Sequence, residues 1–244
     1  MPRKPREFEV GRIYHIVKRG VEGRDIFLKP QDYSRFIFGL EFCNTSDSTD
    51  LWELIGGSDP PMRDPPMRER LRKIREEKRE RKQNSLVDFL GFALMPNHFH
   101  LIIREIILGG TSKFMQKLGG YTTYFNKQYN RLGSLFQSRF KAVEVKDDIQ
   151  LHTVFVYVHT NPVELWQPGW KDFSVKNPAE AIQKLKKYRL SSYNDYIGNS
   201  EFPHAINREF FLNFFGGENK CKQAVEDWIR FKARKTRLGS EVIE

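Results

Sequence analysis

The feature that most constrains this chain is a pair of apolar runs separated by two residues: LVDFLGFALM (86–95) and HFHLIIR (98–104), with Pro96-Asn97 between them. Each run has the length and the aliphatic and aromatic content of a buried strand, and the Pro-Asn pair is a turn signal, so the segment is expected to form a β-hairpin. Other segments supply its neighbours. RIYHIVK (12–18) alternates, with Ile13, His15 and Val17 on one side and Tyr14, Ile16 and Lys18 on the other. A helix should open at Pro30 and run to about Cys43, because Tyr33, Phe36, Ile37 and Leu40 recur at helical spacing. A second helix is expected from about Ser112 to Asn130, kinked at Gly119-Gly120, followed by a strand from Phe140 to Val145. Asp147-Asp148 then caps a helix to about Thr160, which Asn161-Pro162 stops. The order strand, helix, strand, strand, helix, strand, helix predicts an α+β domain with an antiparallel sheet and helices on one face.

The composition changes abruptly at Asn44. Residues 44–67 are rich in Ser, Asp, Pro and Gly and contain the tandem DPPMRDPPMR, and Arg68 to Gln83 holds nine basic and four acidic residues. The stretch 44–85 is therefore expected to be an insertion, a linker followed by a charged helix with Leu71 and Ile74 as anchors. Such a helix could be a solvated spacer or an arm that grips phosphates. From about Trp166 the chain reads as mostly helical and basic. The domain reading is thus 1–165 for the main unit and 166–244 for a helical extension.

A net charge of +10 and a pI near 9.5 favour a polyanionic partner, although an acidic membrane face would answer to the same charge. No window is apolar enough to span a bilayer, so no membrane partner is expected. The basic MPRKPREF is not followed by an apolar stretch, and Cys43 and Cys221 are too few and too far apart for a disulfide framework or a zinc motif. The expected location is cytoplasmic.

Three groups of residues could carry chemistry. On a strand, His98 and His100 point to the same face about 7 Å apart while Phe99 points the other way, so both imidazoles can converge on one cation or simply pack together. Tyr157 and Asn161 are four apart, hence on one helix face. A phenol is a nucleophile once its proton is lost, and an amide oxygen can ligate a hard cation; the same pair could equally be a packed aromatic and a helix cap. His159, between them, points elsewhere and reads as structural or surface. Finally, Lys113 to Lys146 holds seven cations against the single acid Glu144, interleaved with Tyr121, Tyr124, Phe125, Tyr129, Phe136 and Phe140. Cations along a phosphate backbone with rings for base stacking would suit single-stranded nucleic acid, and Lys113, Lys117, Lys127, Arg131, Arg139 and Lys141 are the candidate DNA contacts.

These pieces resemble a known family. MPRKPREFEVGRIYHIVKRG, FALMPNHFHLIIR, YFNKQYNRLGSLFQSRFKAVEV and YVHTNPVE, in that order, with SSYNDYIG at 191–198, look like the REP-associated tyrosine transposases among the IS200/IS605-like single-tyrosine transposases of the HUH endonuclease superfamily. The resemblance implies a ferredoxin-like sheet with the histidine pair on a central strand. It implies Mg²⁺ or Mn²⁺ held by His98, His100 and Asn161, and Tyr157 as the nucleophile that forms a 5′-phosphotyrosine. Tyr124 ranks next, with Tyr121 and Tyr129 as further rivals. The implied partner is single-stranded DNA with a hairpin, either REP-like or an insertion-sequence end. A homodimer and a monomer both stay open. The alternative is a domesticated hairpin-DNA-binding protein that no longer cuts. No GxxxxGK[ST] phosphate loop is present, which suits a reaction without a nucleotide cofactor.

Overall fold

The computed structural model describes residues 7–46, 72–73, 76, 85–172, 175–199, 201–202 and 205–240. Strands β2 (Val87–Met95) and β3 (His98–Glu105) form the expected hairpin, with Met95 opposite His98 across the two-residue turn. Strand β1 (Ile13–Arg19) pairs with the other side of β3, and β4 (Lys141–Val145) pairs with β1. The order β2-β3-β1-β4, antiparallel at every step, is that of a ferredoxin-like sheet, and it puts the histidine pair on an internal strand.

The α+β class and the antiparallel sheet are as expected, but the helices cover both faces rather than one. Helix α1 (Pro30–Phe42) lies on the face of Phe99, with Phe36 and Phe99 ring centroids 4.7 Å apart. Helices α2 (Gly110–Leu118) and α3 (Tyr121–Gln128) join it through Phe114 against Phe89 and Tyr121 against Phe36. Helix α4 (Asp148–Thr160) packs on the opposite face, where Tyr157 meets His100 and the His159 ring lies 3.6 Å from where a Cβ on Gly91 would sit. The physical reason is in β2, which is apolar on both sides almost throughout. A strand of that kind must be covered twice.

Local signals account for the helix ends. Asp32, in the first turn of α1, reaches back to accept from the Leu28 and Lys29 amides. The Asp147 carboxylate accepts from Gln150 N at 2.7 Å and caps α4. The segment expected as one kinked helix is two, α2 and α3, divided at Gly119-Gly120, where an added Cβ on Gly119 would meet the Gln116 carbonyl at 2.9 Å.

Beyond Trp166 the chain forms α5 (Pro178–Lys187), α6 (Arg208–Phe215) and α7 (Glu218–Ser240). These share the core of the sheet: Phe155 of α4 packs on Phe211 at 4.6 Å, and Cys221, Val225 and Ile229 of α7 are buried. Residues 190–192 also hydrogen-bond to the open edge of β2, through Leu94 N to Leu190 O and Ser192 N to Phe92 O. That covers an edge otherwise available to another chain. The linker and charged helix expected within 44–85 lie almost wholly outside the described residues. The two ends of that stretch are tied together, because the Asn44 side chain donates to Val87 O and accepts from the Leu86 and Val87 amides. Among the described residues, no helix is long and apolar enough to cross a membrane.

Candidate active site

Strand parity puts His98 and His100 side by side on the α4 face, with ring centroids 5.0 Å apart. Each has its Nδ1 engaged. His98 Nδ1 lies 2.6 Å from Asn97 Oδ1, and His100 Nδ1 lies 2.9 Å from Nε2 of His15 on β1. His15 is half-buried, and desolvation pushes it down to about 4, so it is uncharged at neutral pH.

Tyr157 comes to the same place from α4. Its ring centroid is 5.5 Å from that of His100 and 5.7 Å from that of His15, edge-on to both. It is 37% exposed on a helix whose other apolar residues, Ile149 apart, are buried, so its ring lies both beside the imidazoles and open to a solute. Asn161, one turn on, is fully buried and does not line the cleft. Its Nδ2 lies 3.4 Å from Tyr157 O, and its Oδ1 has no hydrogen-bond partner among the described residues. His159 is structural: its rings nitrogens engage Phe155 O and Ser192 Oγ, both at 2.8 Å, and full burial pushes it down to about 3.

The rival tyrosines lie on the other face. Tyr124 and Tyr129 donate to the two oxygens of Asp32, and Tyr121 donates to Ile26 O. Burial raises Tyr121 and Tyr129 above the usual phenol range.

His98, His100 and Tyr157 line a cleft of about 710 Å³ whose rim carries Lys18, Arg19, Arg139 and Lys141, against Asp25 and Glu164. Lys18 sits 4.5 Å over the Phe136 ring, and desolvation lowers its pKa. Of the six candidate DNA contacts, Arg139 and Lys141 reach this cleft. Lys113 and Lys117 donate instead to the carbonyls of Ser46 and Thr45, where the 44–85 stretch begins. Arg131 lies over Phe125 and bonds Asn126, and Lys127 is on α3, so both belong to the opposite side of the sheet.

Sequence reasoning missed His15, Asn97 and Glu164. Glu164 follows the Asn161-Pro162 stop, so no helical period carried it to the cleft; the 3-10 turn of residues 161–165 does. Asn97 was visible as the residue before the pair, but only as a turn former. His15 had no local signal, since its approach to His100 depends on β1 pairing with β3.

The comparisons with known proteins bear on this segment. The family described as transposase, IS200 like, matches residues 61–161, a span that holds His98, His100, Tyr157 and Asn161. A solved structure of a REP-associated tyrosine transposase bound to a REP hairpin superposes with a TM-score of 0.46 at 15% identity, over 84% of this chain and 90% of that one. No curated protein matches.

Proposed function

We propose that this chain, whose residues 61–161 match the family described as transposase, IS200 like, is a member of it that cuts and rejoins single-stranded DNA beside a hairpin, with Tyr157 as nucleophile. The observation that carries the reading is the meeting of a phenol and two imidazoles, with centroids 5.0–5.7 Å apart including His15, at the foot of a cleft rimmed by four cations.

His98 and His100, with Asn161, would hold the divalent ion, Mg²⁺ or Mn²⁺. Two imidazoles suit Mn²⁺ better than Mg²⁺, and Asn161, buried outside the cleft lining with an amide oxygen that has no partner among the described residues, would have to turn that oxygen into the cleft to complete the set. When bound, the ion supplies Lewis-acid polarisation of the scissile phosphate. The chain's own groups do the rest. Lys18, Arg19, Arg139 and Lys141 draw the strand's phosphates into the cleft and balance their charge. The oxygen of Tyr157 loses its proton and bonds to phosphorus as the P–O3′ bond breaks. The leaving 3′ oxygen takes up a proton, and a 5′-phosphotyrosine remains. Attack of a 3′-OH on that ester reverses the exchange, so rejoining needs no nucleotide.

The test is incubation with single-stranded hairpin oligonucleotides and Mn²⁺, then a denaturing gel. A band of protein carrying DNA that is absent in Tyr157→Phe is the expected result. Tight hairpin binding with no such band under any divalent ion would leave a DNA-binding protein without the cutting step.

A further inference from the structure

Each candidate ligand histidine is held at Nδ1 by a residue outside the His-x-His pair, and the two holders differ in kind. We propose that Asn97 and His15 are positioning residues that fix the tautomers of His98 and His100, so that both present the Nε2 lone pair to the ion. The proposal rests on the metal-site reading above.

For His98 the argument is closed by geometry. Asn97 Nδ2 lies 3.1 Å from the Gly23 carbonyl, which can only accept, so the amide must be oriented with its oxygen toward His98. That oxygen, 2.6 Å from His98 Nδ1, can only accept as well. The imidazole proton therefore sits on Nδ1, and in the neutral ring Nε2 carries no proton.

For His100 the partner is another imidazole. The rings of His15 and His100 are 16° from parallel with centroids 5.1 Å apart, and His15 Nε2 is 2.9 Å from His100 Nδ1. That combination is an edge-to-edge bond in nearly one plane, not a face-to-face stack. One proton lies between the two nitrogens. If His100 is to ligate through Nε2, the proton belongs to its Nδ1, and His15 must accept it while carrying its own proton on Nδ1. Metal-bound histidines ordinarily pass the second N–H to a carboxylate, carbonyl or water. Here an amide oxygen and a third imidazole take that place.

The arrangement also links the site to the fold. His15 reaches His100 only because β1 pairs with β3 in the register that sets Val17 opposite His100. Asn97 reaches His98 only while its amide is tied to Gly23, in the turn after β1.

The experiment uses the full-length protein with ¹⁵N-labelled histidine. Long-range ¹H–¹⁵N spectra of the metal-free protein report each tautomer, and electron paramagnetic resonance titration reports Mn²⁺ affinity. Wild type should show Nδ1–H on His98 and His100. His15→Phe, which cannot accept a proton, should erase that preference at His100 and weaken Mn²⁺ binding by about 10–100-fold. His15→Gln, whose amide oxygen can accept, should restore both to within a few-fold, a rescue that a mere packing role would not produce. Asn97→Ala should do to His98 what His15→Phe does to His100. A folded His15→Phe with the His100 tautomer and Mn²⁺ affinity unchanged overturns the proposal. If His15→Phe does not fold, a His15→Gln protein that has lost the Nδ1–H signal overturns it instead. A wild type with the expected tautomers but no Mn²⁺ binding would count against the metal site while leaving the tautomer assignment standing.

Discussion

Both faces of the sheet carry a helix with tyrosines, and the two faces treat the phenols in opposite ways. On the α3 side, Tyr121, Tyr124 and Tyr129 point inward, and each donates its hydroxyl to a fixed oxygen, on Ile26 or Asp32. Those phenols close a buried acceptor, and burial makes the protons of Tyr121 and Tyr129 harder to remove. On the α4 side, Tyr157 is a partly exposed residue within the buried C-terminal half of the helix, with imidazoles on one side and a basic cleft on the other. The comparison teaches that proximity to cations in sequence does not make a tyrosine reactive. What distinguishes Tyr157 is a ring that is both accessible and beside candidate metal ligands.

The sharpest way to break this contrast is to exchange the roles. Tyr157→Phe should reduce covalent DNA adducts to background on a denaturing gel, whereas Tyr124→Phe should leave adduct formation intact. Loss of adducts in Tyr124→Phe, with the fold preserved, would reverse the assignment.

The next effect is on stability, and it belongs to the opposite face. Asp32 is fully buried and accepts from two backbone amides and two phenols. Each buried donor left unsatisfied costs about 1–3 kcal/mol, so Asp32→Ala should lose about 3 kcal/mol or more in urea unfolding. A loss below about 1 kcal/mol would show that the phenols on this face are not held by Asp32.

A smaller, pH-dependent effect marks the α4 face. His159 is held down to about 3 by burial, well below the ordinary value near 6.5. The unfolded chain therefore binds this proton first. The contribution is complete above pH 6.5 and is lost as pH falls toward 3, at about 1.4 kcal/mol per unit once well below 6.5. Urea unfolding between pH 7 and 4.5 should show this decline, and His159→Gln should flatten it. An unchanged slope would mean that other groups carry the acid sensitivity.

The smallest effect separates the cations. Arg139→Ala and Lys141→Ala should each weaken binding to hairpin DNA and lower the salt slope by about one, whereas Lys113→Ala and Lys117→Ala should leave the slope unchanged. Equal slopes across all four would mean that DNA also tracks the opposite face.

How much of this was legible follows from what each signal encodes. The hairpin and the parity of His98 and His100 could be read directly, because strand period and turn chemistry are local. The caps at Asp147 and Pro30 were equally plain. Coverage of both sheet faces had a signal in VDFLGFALM, a run too apolar for a strand with one wet side. The spacing of four put Tyr157 and Asn161 on one helix face only as long as the helix continued: the chain tightens into a 3-10 turn at Asn161 and buries its amide while Tyr157 stays open. The basic stretch 113–146 mixed cations from two faces, and only tertiary structure sorts Arg139 and Lys141 from Lys113 and Lys117. His15 needed the β1–β3 register, which no window of sequence contains.

The most direct measurement is to digest the covalent complex formed on a hairpin oligonucleotide with Mn²⁺ and locate the modified residue by mass spectrometry. The account predicts a nucleotide on the peptide containing Tyr157 and on no other. A nucleotide on Tyr121, Tyr124 or Tyr129, or an undiminished adduct in Tyr157→Phe, would contradict it.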